Sequence, residues 1–182
     1  NSNLTLKDFT GFNGRCDAIY FTTEKEQLPP NETVQLTDFR KKMLDIPAEP
    51  EQYSYDVIVT GGGIAGMCAA ATASRLGCKV ALINDRPVLG GNNSSEVRVH
   101  LGGNIGVGPN SGLGRMIREF GHSKEGNAKP AANYEDEKKE LFIANEKNIT
   151  LYANYRAISV KTDGNRIESV IIKHIENGKE VE

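Results

Sequence analysis

The hydrophobic pattern of this chain changes period several times, and each change marks an element. From Asp56 to Gly91 the sequence runs DVIVTGGGIAGMCAAATASRLGCKVALINDRPVLGG. Val57 to Val59 reads as a buried strand, the proline-free, Ala-rich stretch from Ile64 as a helix, and Lys79 to Ile83, following Gly77, as a second strand. Strand, tight turn, helix and strand in that order predict a βαβ unit with parallel strands. Upstream, Leu4 and Leu6 alternate with polar neighbours, Phe9 and Phe12 flank a turn at Gly11 and Gly14, and Cys16 to Phe21 reads as a buried strand. Residues 1–30 are therefore expected to be β-rich. Pro29 and Pro30 break that pattern, and Asn31 is placed to cap a helix from Glu32 to about Leu44 with Leu36, Phe39 and Met43 on one face. The two prolines of Ile46-Pro47-Ala48-Glu49-Pro50 end it in a linker. The expected division is an extension over residues 1–50 and a main domain over 51–182.

Beyond Gly91, NNSSEVRVHLGGNIGVGPNSG has too many glycines for the interior of an element and reads as a structured loop wrapped around something. Leu113, Met116, Ile117 and Phe120 then mark one face of a short helix starting near Ser111. A further helix is expected over Tyr134 to Lys147, with Tyr134, Leu141 and Phe142 as its apolar contacts. The period then switches to two. Ile149 to Ala153 is a short strand, and Ala157 to Lys161, Arg166 to Ile175 and Lys179 to Glu182 form a meander joined by turns at Asp163-Gly164-Asn165 and Asn177-Gly178. The fold class that follows is α/β: a Rossmann-like parallel sheet with a β-meander, preceded by a short β-rich extension and a helix.

A length of 182 residues suffices for one domain with a sizeable core, or for one domain and part of another. Hydrophobic residues make up 38% and charged residues 25%, a globular balance. The net charge of -2 gives no electrostatic reason to expect nucleic acid or an anionic membrane as partner. No apolar run is long enough to cross a bilayer, and the polar start NSNLTLKDFT is not a signal peptide. Cys16, Cys68 and Cys78 are far apart, and His100, His122 and His174 have no ligand spacing, so no metal site is expected.

The chemistry concentrates in the glycines. Gly61 lets the strand turn sharply, Gly63 lets a diphosphate approach the backbone, and Gly66 lets the helix pack on the strand. The helix presents free N–H groups from Ile64 and Ala65 onward, where they and the helix dipole favour negative charge. The small face of Ala65, Ala69, Ala70 and Ala73 suits close packing. Many nicotinamide-binding units place an acidic residue at the end of the second strand for the ribose hydroxyls. Here that position falls on Asn84, with Asp85 beside it. Glu96, Arg98 and His100 alternate along a possible strand and would share a face. A solvated strand or an internal ion pair is the stronger reading of that triplet. The charged run Glu135 to Glu140 reads as a solvent-facing helix surface, and Met43, Met67 and Met116 as core fillers.

The pair Gly90-Gly91, so soon after the second strand, resembles the flavoprotein superfamily that includes glutathione reductase and fumarate reductase. With Gly102-Gly103 following, the loop is similar to that of the fumarate reductase branch. The run from GGGIAGMCAAA through LGGNNSSEVRVHLGG most closely resembles the FAD-dependent oxidoreductase family, distantly related to heterodisulfide reductase, over residues 55–182. The resemblance implies an FAD/NAD(P)-type binding fold with FAD as cofactor and redox chemistry between a small-molecule substrate and an electron acceptor. It implies that Gly61, Gly63, Ala65 and Gly66 hold the diphosphate, Asn84 or Asp85 the adenosine ribose, and Arg86, Gly90, Gly91 and Asn92 the rest of the dinucleotide. It also implies a fragment of a longer chain whose other domains are its partners, with poor cofactor affinity in isolation. Residues 1–28 resemble the last strands of a β-sandwich module, which by analogy suggests export, although the compartment is undecided. Arg98 would stabilise an anionic substrate or the reduced flavin, and His100 would donate a proton or, as the alternative, serve as a covalent flavin attachment point. A nicotinamide-dependent dehydrogenase, or a nucleotide-binding module without activity, are the alternatives.

Overall fold

The computed structural model describes residues 5, 7, 19–103, 108–110, 112–121 and 126–182. Contacts divide it into two units, Asn1–Phe39 and Arg40–Glu182. Helix α1 (Thr33–Met43) begins in the first and ends in the second. It starts two residues after Asn31, so Glu32 rather than Asn31 precedes it, and the Leu36 N–H donates to the Glu32 carbonyl at 2.8 Å. Within the first unit Phe39 meets the Tyr20 ring edge-on at 5.4 Å. The strand expected over Cys16 to Phe21 is absent at its described end, where Ile19, Tyr20 and Phe21 are exposed coil. An apolar run becomes a strand only beside another strand, and no described strand pairs with it. The rest of that strand, with Leu4, Leu6, Phe9 and Phe12, lies outside the described residues. Met43, expected in a core, is 39% exposed.

The second unit is built on two three-stranded sheets. Strand β1 (Val57–Thr60), helix α2 (Ile64–Arg75) and strand β2 (Val80–Asn84) form the expected βαβ unit. With β3 (Ile149–Ala153) they give a parallel sheet in the order β1-β2-β3, in register from Val57 beside Val80 and from Val80 beside Ile149. Every residue of β2 is buried, as suits a central strand covered on both faces. Its side chains alternate. Val80 and Leu82 join Met67, Ala70, Leu89, Phe120 and Phe142 in the main core, while Ile83 points into a smaller core with Ile172 and Val181. That second core joins the parallel sheet to the antiparallel meander of β4 (Tyr155–Asp163), β5 (Arg166–His174) and β6 (Glu180–Val181).

Two helix faces differ from expectation. The buried face of α2 is Met67, Ala70, Ala71 and Ser74, spaced at three and four residues, whereas Ala65 and Ala69 face outward. The helix expected from Tyr134 is split. A 3₁₀ turn (Ala131–Tyr134) precedes α4 (Asp136–Ala144), and Glu135 between them is left-handed at φ 46°. That kink resets the helical phase, so Lys139, Phe142 and Ile143 turn inward and Leu141 is 62% exposed. Helix α3 (Leu113–Phe120) buries Phe120, whose ring lies 4.6 Å from that of Phe142.

Candidate functional site

The site lies at the carboxyl ends of β1 and β2, where two glycine-rich turns meet. The Gly61 N–H donates to the Ile83 carbonyl at 2.7 Å, and the chain then reverses at φ +106°, a conformation that side chains resist. A Cβ on Gly66 would run into the Gly61 carbonyl oxygen, so the first turn of α2 packs directly on the turn that leads to it. A Cβ on Gly62 would lie 2.5 Å from Leu89 Cδ2 and 2.7 Å from Asn84 Cγ. The second turn is stitched to the first by the Gly90 N–H, which donates to the Gly62 carbonyl at 2.8 Å beside a parallel bridge between Gly63 and Gly90. Gly63 and Gly91 therefore face each other without side chains, and a Cβ on Gly91 would stand 3.1 Å from the Gly63 Cα.

This bare floor opens into a cleft of about 430 Å³. Gly63, Ile64 and Ala65 line it from the helix side, Gly90, Asn92 and Asn93 from the second turn, and Val99 to Gly102 from the following loop. Gly63 caps α2 with no side-chain hydrogen bond, and the first turn of the helix has no acidic residue. The first N–H groups of α2 thus have neither an intrahelical carbonyl nor a capping side chain, which makes this end receptive to an anion. A larger hollow of about 580 Å³ lies at the start of α4, but Glu135, Asp136 and Glu137 line it and it has no glycine floor.

Asn84 is 5% exposed and its amide is fully engaged. Its Oδ1 accepts from the Gly62 N–H at 3.2 Å, and its Nδ2 donates to the carbonyls of Arg86 and Val88 at 2.9 and 3.0 Å. The side chain thus locks the first turn to the loop after β2. Asp85 stands half-exposed beside it in an ion pair with Arg156 at 3.0 Å, and Arg86 pairs with Glu96 at 3.1 Å. Both pairs sit at the surface, where they contribute little to stability.

Residues 94–100 are turns and coil, not the strand expected for Glu96, Arg98 and His100. The Ser94 carbonyl takes the Arg98 N–H at 2.8 Å, and Arg98 is left-handed at φ 63°, so the alternation breaks and the three side chains part. Glu96 turns to Arg86, and Arg98 Nε donates to the Ser95 carbonyl at 2.8 Å. Only His100 of the three lines the cleft. The Asn127 Oδ1 lies 2.9 Å from the His100 main-chain nitrogen and 2.7 Å from its Nδ1.

The loop is held from behind by residues that the sequence did not single out for function. The Tyr134 hydroxyl donates to the Arg98 carbonyl at 2.6 Å, and Ala128 N–H donates to the same oxygen at 2.9 Å. The Asp136 carboxylate accepts from the Ser95 N–H at 3.1 Å. Lys139, fully buried, donates to the Tyr134 carbonyl, and its stem packs where a Cβ on Gly90 would stand. Burial pushes the Lys139 ammonium below the ordinary lysine range, against the opposing pull of Asp136 at 3.7 Å. Asn93 is also buried. Its Nδ2 donates to the Val99 carbonyl at 2.9 Å, while its Oδ1 has no hydrogen-bond partner among the described residues. Nothing in the spacing of Asn93, Asn127, Tyr134 or Lys139 announces these contacts, since each is made by tertiary folding. Gly62 was legible as part of a glycine run but not as a packing contact.

These features fit a dinucleotide. An open, side-chain-free floor, free N–H groups at the head of α2 and an orphaned acceptor on a lining residue together suit a ligand carrying both a diphosphate and hydrogen-bond donors. The sequence model of the family described as FAD dependent oxidoreductase matches residues 56–182. The soluble pyridine nucleotide transhydrogenase of Ectopseudomonas mendocina (strain ymp) is 37% identical over 68 residues, which cover 37% of this chain and 13% of that protein. The alpha chain of sarcosine oxidase from Corynebacterium sp. (strain U-96) is 37% identical over 78 residues, 36% of this chain and 8% of that one. Among solved structures, THI4 of Thermovibrio ammonificans aligns with a TM-score of 0.46 at 18% identity, over 78% of this chain and 54% of that chain. The chain therefore spans only a small part of the length of the curated relatives it matches.

Proposed function

This chain belongs to the FAD-dependent oxidoreductase family, and we propose that residues 51–182 are the part of a flavoenzyme that grips the cofactor while a small-molecule substrate and an electron acceptor exchange electrons. The observation that carries this reading is the pairing of Gly63 with Gly91 under an uncapped helix N-terminus. Bound FAD supplies the redox chemistry, taking up and returning electrons through its isoalloxazine ring. The N–H groups of Ile64, Ala65 and Gly66 bind the diphosphate over the floor that Gly61 and Gly63 leave open. Asp85, half-exposed just beyond β2, takes the ribose hydroxyls, while Asn84 holds the turn in shape from beneath. Arg86, Gly90, Gly91 and Asn92 border the remainder of the dinucleotide. His100, on the cleft wall, holds and moves a proton during turnover. Arg98 contributes through its left-handed backbone, which breaks the alternation ahead of His100.

The test is optical. The full-length protein that contains this chain should purify yellow, with flavin absorbance bands that bleach on reduction by dithionite. A colourless preparation that binds NADH and not FAD would replace this reading with a nicotinamide-dependent dehydrogenase. A preparation that binds neither would leave a structural module.

A further inference from the structure

His100 and Asn127 are joined through one oxygen, and that oxygen fixes which ring nitrogen can carry a proton in and out of the cleft. The main-chain N–H of His100 is a donor in every state of the protein, and it points at Asn127 Oδ1 from 2.9 Å. Turning the amide over would set N–H against N–H and lose that bond, so the atom in this position is the carbonyl oxygen. The same oxygen lies 2.7 Å from His100 Nδ1. An amide oxygen only accepts, so Nδ1 must carry a hydrogen. This holds for the neutral ring and for the imidazolium alike, and only Nε2 is left to gain and lose a proton. Nε2 is also the ring nitrogen on the side of Gly102, 3.5 Å from the position of a Cβ there, and Gly102 lines the cleft while Asn127 does not.

We infer that Asn127 is a positioning residue: it holds His100 as the Nδ1–H tautomer and leaves the Nε2 lone pair as the proton acceptor of the cleft wall. The residue lies 27 positions away in sequence, on a segment anchored beside His100 by the Ala128 N–H on the Arg98 carbonyl. The assignment of a proton-transfer role to His100 rests on the functional reading above; the tautomer itself does not. When substrate gives up a proton, the Nε2 lone pair forms the new N–H bond and the ring becomes imidazolium, and reversal returns the same proton. The substrate keeps the electron pair of the bond it breaks, so its charge falls by one as that of the ring rises by one. Orientation of this kind, by a partner on the far side of the ring, commonly sets which nitrogen of a histidine is active.

The test is long-range ¹H–¹⁵N correlation on the ¹⁵N-labelled chain, with His100 assigned by the signals lost in His100→Gln. The expected result is a protonated Nδ1 and an unprotonated Nε2 for neutral His100 in the wild type. Asn127→Ala should shift His100 to the Nε2–H form that a free imidazole side chain favours, and Asn127→Asp, which keeps an acceptor oxygen, should restore Nδ1–H. A wild-type His100 found as Nε2–H overturns the inference without recourse to any variant. Retention of Nδ1–H in a folded Asn127→Ala protein overturns it as well. Loss of flavin binding would sink the functional reading and leave these nitrogen signals as predicted, so the two failures are separable.

Discussion

Gly61, in the turn after β1, and Gly66, in the first turn of α2, stand five residues apart, yet a methyl group harms each for a different reason. At Gly66 the added Cβ meets the Gly61 carbonyl oxygen, a backbone atom that cannot swing aside, so α2 must lift off the turn. Overpacking of this kind costs about 1–3 kcal/mol, and it moves the N–H groups that face the cleft. At Gly61 the Cβ would meet nothing within 4 Å among the described residues, and the penalty is the φ of +106° alone, worth about 1–3 kcal/mol. Gly66→Ala should therefore lower the urea midpoint and abolish flavin binding, whereas Gly61→Ala should lower the midpoint and leave measurable binding. Equal loss of binding in both would show that turn shape, not helix approach, is what matters. At Asn84 the chain departs from the acidic residue common in nicotinamide-binding units, and the contacts explain the departure. A carboxylate could accept from Gly62 but could not donate to Arg86 and Val88. Asn84→Asp should cost about 1–3 kcal/mol in urea unfolding for the unsatisfied carbonyls. Asp85→Asn, which removes only an exposed ion pair, should cost about 0–1 kcal/mol.

At the scale of elements, the 3₁₀ turn and α4 act as a brace for the loop that carries His100. Lys139 is the buried member of that brace, and its titration gives the brace a signature. Its folded pKa is lowered by burial, so between that value and the ordinary lysine value of about 10.4 the unfolded chain holds a proton that the folded chain has released. Stability from this group therefore rises with pH across that window and is lower below it. Wild type should gain in urea midpoint over Lys139→Met as the pH climbs from neutral toward about 10, and an opposite trend would mean that Asp136 outweighs burial. The same elements show what the sequence could and could not reveal. Strands β1, β2 and β3 and helix α2 were legible because their periods are uninterrupted and glycine turns bound them. The break at Glu135 was not, since nothing in the local residue types demands a left-handed residue there; the phase of α4, and with it the burial of Lys139 in place of Leu141, followed from that one dihedral. The Glu96, Arg98 and His100 alternation failed similarly, because a left-handed Arg98 and the Ser94 turn override a two-residue period. Asn127 could not be found at all from spacing, as its link to His100 exists only once the loops meet.

For the molecule as a whole, β2 is the common wall of two cores, with Val80 and Leu82 facing the helices and Ile83 facing the meander. The stitched glycine turns sit at the carboxyl end of that wall, with Gly62 O holding Gly90 N–H and Asn84 holding Gly62 N–H. A guest seated there touches both halves of the first crossover unit simultaneously, and it cannot remain seated once either half comes apart. Occupancy should consequently appear as heat resistance. FAD at a hundred times its dissociation constant would add about 2.7 kcal/mol to the native state, read as a higher melting temperature by calorimetry of the flavin-loaded protein, and a melting curve indifferent to FAD would mean that FAD has no preference for the folded chain over the unfolded one.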